Sequence, residues 1–225
     1  LSDGDLEITG RMPWSSNATF LVSVSCGEVA APAIYKPEAG ERPLHDFPGG
    51  LWRREVGAFE LSQVLGLRIV PETIERDDGP LGEGSVQRFV DADFNEHYFT
   101  LLERDELREE LRLIAGFDLL ANNADRKGGH LLIDPDGHLW GIDNGLCFHS
   151  APKLRTVMWD FAGEEVPAKV VALAESVIES FPPRLSELLS AREQQALVER
   201  AEDVIDDPYF PAPDESRRAW PWPLV

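Results

Sequence analysis

Two aspartates carry the most chemical information in the chain. Asp125 lies in the polar run Asn122-Asn123-Ala124-Asp125-Arg126, and Asp143 in Ile142-Asp143-Asn144-Gly145. Between them two short apolar runs, residues 131–133 and 139–142, flank Pro135-Asp136-Gly137, the pattern of a β-hairpin. A hairpin returns the chain to its starting point, so the two carboxylates are expected side by side. Phosphoryl transfer uses such a pair: one carboxylate orients or deprotonates the acceptor hydroxyl, the other holds metal on the nucleotide phosphates. The plainer use is structural, since Asn and Asp also close turns and cap helices. Asp143 has the more demanding context, an apolar strand before it and Gly145 after it to permit backbone geometry that other residues resist.

The elements that must position these residues follow from periodicity and breakers. Residues 6–12, 18–25 and 31–35 read as strands, the last ending at Lys36, and residues 37–50 read as a Pro/Gly-containing loop. Residues 52–65 have helix-forming composition, with Gly66 placed to stop them. Residues 69–74 and 85–90 read as further short strands. Beyond Asp93 the pattern turns helical: Leu107, Leu111, Ile114 and Phe117 recur at spacings of three and four within an expected helix 101–120. Two more helices are expected at 168–180 and 186–205, separated by Phe181-Pro182-Pro183.

The aspartate run, with IDNGLCF at 142–148, resembles the catalytic and metal-binding loops of the phosphatidylinositol 3- and 4-kinase superfamily, most closely those of type II phosphatidylinositol 4-kinases. The chain is also similar to a family of small actinobacterial phosphatidylinositol-kinase-like proteins. That likeness runs through IYKP (34–37), GERPLHDFP (40–48), RREVGAFELSQVLGL (53–67), VPET (70–73) and GSVQRFV (84–90), over about residues 10–165. The order of these pieces is that of a kinase-like fold.

The resemblance implies roles residue by residue. Lys36 would contact the α- and β-phosphates, as the strand lysine of a kinase does. Helical periodicity leaves Glu55 and Glu60 open as its carboxylate partner; alignment with the glutamate-containing helix of the family favours Glu55. Ser15, Ser16 and Asn17 occupy the first hairpin turn, where protein kinases place a glycine-rich loop, although no GxGxxG is present. Gln87, Arg88, Phe89 and Val90 would form the connection between lobes, where backbone groups meet the adenine edge. Asp125, followed by Arg126, matches the catalytic loop, and Asp143 matches the main metal ligand. His130 departs from the pattern, standing where lipid kinases place a metal-binding asparagine. An imidazole suits softer ions than Mg²⁺, which leaves three readings: a Mn²⁺ ligand, a phosphate contact without metal, or weakened catalysis. Asn123 is a candidate to supply the missing oxygen ligand. In residues 146–160 the basic pair Lys153 and Arg155 reads as solvated surface, with an anionic substrate as the other possibility.

Composition limits the partners. Lys and Arg number 21 against 41 Asp and Glu, a net charge of −20. Such a surface repels nucleic acid and anionic membrane at long range. Polybasic patches, cysteine clusters for acylation and long apolar runs are all missing from the sequence, so no stable membrane association is expected. Cys26 and Cys147 are too few for a disulfide framework and point to a reducing cytoplasm. The sequence opens on Leu1 rather than Met, which leaves room for a segment before it.

The expectation is therefore an α+β, protein-kinase-like two-lobed fold: a β-rich lobe at 1–92, a helical lobe at 93–207, and a Pro/Trp-rich surface segment at 208–225. Its expected activity is ATP-dependent phosphotransfer with Mg²⁺ or Mn²⁺, to a protein side chain or a soluble small molecule. Two alternatives stand beside it: a nucleotide-binding pseudokinase acting as a regulatory module, and a phosphoinositide kinase recruited to membrane by a partner.

Overall fold

Alternation of apolar residues in the first third of the chain builds an antiparallel sheet. The computed structural model describes residues 1–12, 17–214 and 216–225. Strands β1 (Asp5–Arg11), β2 (Phe20–Cys26), β3 (Val29–Pro37), β4 (Thr73–Arg76) and β5 (Gly84–Arg88) lie in the order β1-β2-β3-β5-β4. Val22 and Val24 of β2, Ala33 and Tyr35 of β3 and Val86 of β5 share one buried face, the period-two pattern of a half-buried sheet. Helix α1 (Leu51–Gln63) crosses from β3 to β4 and packs on β4 and β5. Residues 69–72 were expected to begin a strand. Instead Ile69 turns its carbonyl to the Gly141 N–H at 2.8 Å, which ties this lobe to the hairpin of the other.

The second part is helical, with α2 (Tyr98–Leu101), α3 (Arg108–Ala121), α4 (Ala168–Glu179), α5 (Pro183–Leu188) and α6 (Ala191–Asp206). The expected single helix 101–120 is broken. Between Leu102 and Leu107 the residues are Glu, Arg, Asp and Glu, which offer no apolar face, and Arg104 is extended before a short 3₁₀ turn restarts the helix. The expected helix 186–205 is likewise two. Leu189 is extended and Ser190 caps α6, exchanging hydrogen bonds with Glu193 in a capping box. Pro183 opens α5, where its missing N–H costs nothing. One large core joins α3, α4 and α6 to Ala58 and Leu61 of α1, so α1 belongs to both lobes.

Strands β6 (Leu131–Ile133) and β7 (Leu139–Gly141) form the expected hairpin, with Leu132 opposite Trp140. Residues 208–214 and 216–225 are irregular, but they are not simply laid on the surface. Phe210 and Ala219 are buried, and the segment is hydrogen-bonded to Gly163, Thr156 and Gly128.

Candidate active site

Lys36, one residue before the end of β3, lies on the face opposite Tyr35, and its ammonium lies between two carboxylates. It bonds Glu55 Oε1 and, at 2.8 Å, Asp143 Oδ1. Burial would push its pKa down, but Asp143 and Glu55 outweigh that and raise it, so the lysine is charged. Glu55 is almost fully buried on α1, and its second oxygen accepts the Asn144 N–H at 3.0 Å. One carboxylate thus joins the sheet lysine to the loop that carries Asp143. Glu60, left open by periodicity, faces the side of the molecule that holds Arg184 and Glu187 and plays no part here. Gly145 packs closely on this contact, since a Cβ there would stand 3.3 Å from Glu55 Oε1 and the carboxylate would have to give way slightly.

Asp143 follows β7 with φ of 57°, a left-handed conformation uncommon for a non-glycine residue. Lys36 holds its carboxyl well below the usual carboxylate range. His130 Nε2 lies 3.3 Å from the second oxygen, Oδ2. The other ring nitrogen, Nδ1, accepts the Lys127 N–H at 3.4 Å. The proton therefore sits on Nε2, aimed at Asp143, and metal ligation through Nε2 would require it to move. Burial pushes the imidazole pKa down to about 4, well below the unperturbed value near 6.5, so the ring is neutral around pH 7.

Asp125 is placed by its own loop. Its N–H donates to Asn123 Oδ1 at 3.0 Å, and the neighbouring Ala124 N–H to Leu146 O at 3.0 Å. Burial raises the Asp125 pKa, and Lys127, whose Nζ lies 3.1 Å from Oδ2, opposes the shift. A cavity of about 490 Å³ opens beside Lys36, Glu55, Asp125, Lys127 and Asp143.

Two assigned residues take other roles. Arg126 is completely buried. Its guanidinium grips Asp118 through Nε at 2.7 Å and Nη2 at 2.8 Å, and reaches Ile142 O at 2.6 Å and Asn144 Oδ1 at 2.8 Å. It fastens the loop of Asp125 to the loop of Asp143 and has no access to substrate, so it is a positioning residue rather than a catalytic one. Asn123 is also fully buried, its amide nitrogen on Asp118 and its oxygen on the Asp125 N–H. It is not available as a metal ligand.

The remaining assignments scatter. Ser15 and Ser16 lie outside the described residues. Asn17 lines the cavity and accepts the Arg42 N–H at 3.0 Å. The buried Gln87 amide is spent on Thr73 Oγ1 at 2.8 Å, and Arg88 stacks over the Trp140 ring at 4.7 Å. The N–H groups of Arg88 and Phe89 are already bound, to Glu72 O at 2.8 Å and Pro32 O at 3.4 Å. Val90 lies in an apolar group with Leu132, Trp140 and Ile142, and none of the four lines the cavity. Lys153 and Arg155 are not solvated surface: both turn to Asp46, at 2.8 and 3.7 Å.

Residue-by-residue reading missed Lys127, Asp118, Asn144 and segment 216–225. Asp118 had a signal, a carboxylate in the apolar half of α3 seven residues before Asp125; Lys127 had none beyond its place in the loop.

Among the described residues no cluster of three or more His, Cys, Asp or Glu side chains forms a ready-made metal cage. Asp143 alone presents a half-exposed carboxylate to the cavity. One such oxygen donor fits an ion that brings its other ligands as water and nucleotide phosphate, which is the habit of Mg²⁺.

The chain belongs to the phosphatidylinositol 3- and 4-kinase family, whose family model matches residues 70–183, slightly more than half of it. It is also similar to Protein Rv2133c of Mycobacterium tuberculosis (strain ATCC 25618 / H37Rv), 38% identical over 263 residues that cover 99% of this chain and 93% of the relative. Among solved structures it is similar to the Helicobacter pylori proinflammatory kinase CtkA, with 12% identity, a TM-score of 0.49, and coverage of 92% of this chain and 94% of that one. Lys36 and Glu55 precede the matched range, so their assignment rests on the geometry of the site.

Proposed function

We propose that the protein is an ATP-dependent phosphotransferase that binds metal-nucleotide between its lobes and transfers the γ-phosphoryl group to a soluble acceptor, a small molecule or a protein side chain, in the cytoplasm. The observation that carries this reading is the Lys36–Glu55 pair continued into Asp143 and the Asn144 N–H. A half-buried lysine held by one carboxylate and turned toward a second is built to meet phosphate and metal together.

In this reading Lys36 would hold the α- and β-phosphates and Asp143 would hold the metal, which would supply charge neutralisation at the phosphates. Asp125 orients the acceptor hydroxyl. As its oxygen bonds to the γ-phosphorus, the bond from that phosphorus to the bridging oxygen breaks, ADP leaves, and the hydroxyl proton passes to the Asp125 carboxylate. The raised pKa of Asp125 suits it to receive that proton. Lys127 shields Asp125 in the resting site and is close enough to turn to the transferring group.

A second reading, a nucleotide-binding pseudokinase, draws support from His130 and Asn123, which leave Asp143 as the one plain oxygen ligand beside Asp125. Purified protein incubated with labelled ATP and Mg²⁺ or Mn²⁺ separates the two. Nucleotide binding without ATP consumption or self-phosphorylation would favour the pseudokinase.

A further inference from the structure

Segment 216–225 is bonded to the catalytic machinery. Ala219 O accepts from the Thr156 N–H and from Trp159 Nε1–H, both at 3.1 Å, and Leu224 O accepts from the Gly128 N–H at 2.7 Å. Thr156 in turn bridges to Arg126, and Gly128 lies three residues beyond Asp125. The approach is close: a Cβ on Gly128 would stand 3.3 Å from Leu224 O and from Val225. The segment is thus a fixed wall at the Asp125 end of the cavity, and it brings Arg218, Pro221 and Trp222 into the lining.

That wall lies where the charge of the molecule reverses. Acidic residues outnumber basic ones 41 to 21 in the chain, yet five Lys and Arg line this cavity against four Asp and Glu. All four are already engaged. Glu41 accepts the Gly50 and Trp52 N–H groups, each at 2.9 Å, Glu55 and Asp143 hold Lys36, and Asp125 pairs with Lys127. The cations near Asp125 are left in surplus. Asp46 serves both Lys153 and Arg155, one carboxylate for two charges. Among the described residues Arg218 forms no ion pair; its Nε donates to Trp220 O at 3.3 Å. A guanidinium fork fits phosphate or carboxylate by paired hydrogen bonds.

We propose that segment 216–225 is part of the acceptor site, and that Arg218, with Arg155, selects a small soluble acceptor carrying a phosphate or carboxylate near its reacting hydroxyl. This rests on the phosphotransferase reading for the word acceptor, but the anion site is testable without it. A soluble molecule fits better than a lipid surface, because the net charge of −20 repels an anionic bilayer while the local cations act within a Debye length of about 10 Å.

The test is calorimetric titration of inorganic phosphate into the full chain, both free and saturated with a non-hydrolysable ATP analogue and Mg²⁺, whose phosphates fill the nucleotide site. Arg218→Glu should weaken phosphate binding at least about tenfold, and Arg218→Lys should restore most of it. Arg217→Glu makes the same charge change one residue away, off this cavity, and should leave binding as it was. Equal affinity in wild type and Arg218→Glu, or an equal loss in Arg217→Glu, would overturn the proposal. So would phosphoryl transfer to phosphatidylinositol vesicles that survives Arg218→Glu unchanged. Failure to bind nucleotide would instead count against the phosphotransferase reading, while the titration of the free protein still decides Arg218.

Discussion

Arg126→Met separates a positioning arginine from a catalytic one. The substitution roughly keeps volume but removes the charged partner of Asp118, which is itself 1% exposed. Breaking a buried ion pair from one side costs about 3–5 kcal/mol, because the remaining charge stays buried without compensation. Asp118 keeps one donor, the Asn123 amide at 3.1 Å, which places the loss toward the lower end. At roughly 2–4 °C per kcal/mol for a chain of this size, the melting temperature should fall by roughly 6–20 °C. Asp118→Leu in the same chain should recover part of the loss, since a pair replaced on both sides no longer leaves an orphan charge. Urea and thermal unfolding of the single and double variants give the numbers. A single variant within about 1 kcal/mol of wild type, but devoid of activity, would refute the reasoning and return Arg126 to the chemistry.

Three further outcomes follow from the same geometry. Asp125→Asn should lower turnover by about 10²–10⁴-fold with nucleotide affinity nearly unchanged, since the lost group acts mainly in the transition state; steady-state kinetics beside a nucleotide titration checks it. His130→Asn keeps a donor for Asp143, so the ratio of Mg²⁺- to Mn²⁺-supported activity should change by less than roughly threefold; a wild-type Mn²⁺ preference abolished by the substitution would show the imidazole on the metal. Burial raises the Glu193 pKa, but Ser190 and the Arg54 guanidinium outweigh it and leave it below the usual carboxylate value. Its contribution to stability is therefore complete above about pH 4.3 and lost as pH falls through the folded value. In urea midpoints from pH 7 to pH 3, the gap between wild type and Glu193→Gln should hold constant at first and close only at the acid end.

The local patterns carried far into the structure. Alternation in β2 and β3, the hairpin of β6 and β7, and the placement of both aspartates follow from short-range preferences, and those are legible in one chain. Glu55 against Glu60 was not, because a five-residue spacing turns the two to different helix faces and only the sheet decides which one meets Lys36. The helix breaks at residues 103–107 and 189–190 were missed for opposite reasons. The first is a run of four charged residues, Glu103 to Glu106, too short to disturb the periodic count. The second carried a Ser190-to-Glu193 capping signal that the surrounding helical pattern hid. Arg126 and Asn123 were read as chemistry because polar residues beside a candidate catalytic aspartate look alike in sequence. Their partner Asp118 lies a helix turn or two upstream, and only folding reveals that the two face inward to it. The wall made by segment 216–225 depends on contacts between residues 60 or more apart in the chain, for which composition holds no signal.

Transfer of label from γ-labelled ATP, measured with Mg²⁺ and with Mn²⁺ for wild type beside Lys36→Met, tests the central claim most directly. The expected result is ATP consumption or self-phosphorylation by the wild type that is lost in Lys36→Met, because the substitution removes the cation that joins Glu55 and Asp143 and that the proposal assigns to the phosphates. Wild-type protein that binds ATP yet turns over none with either metal, or Lys36→Met that matches the wild-type rate, would contradict it.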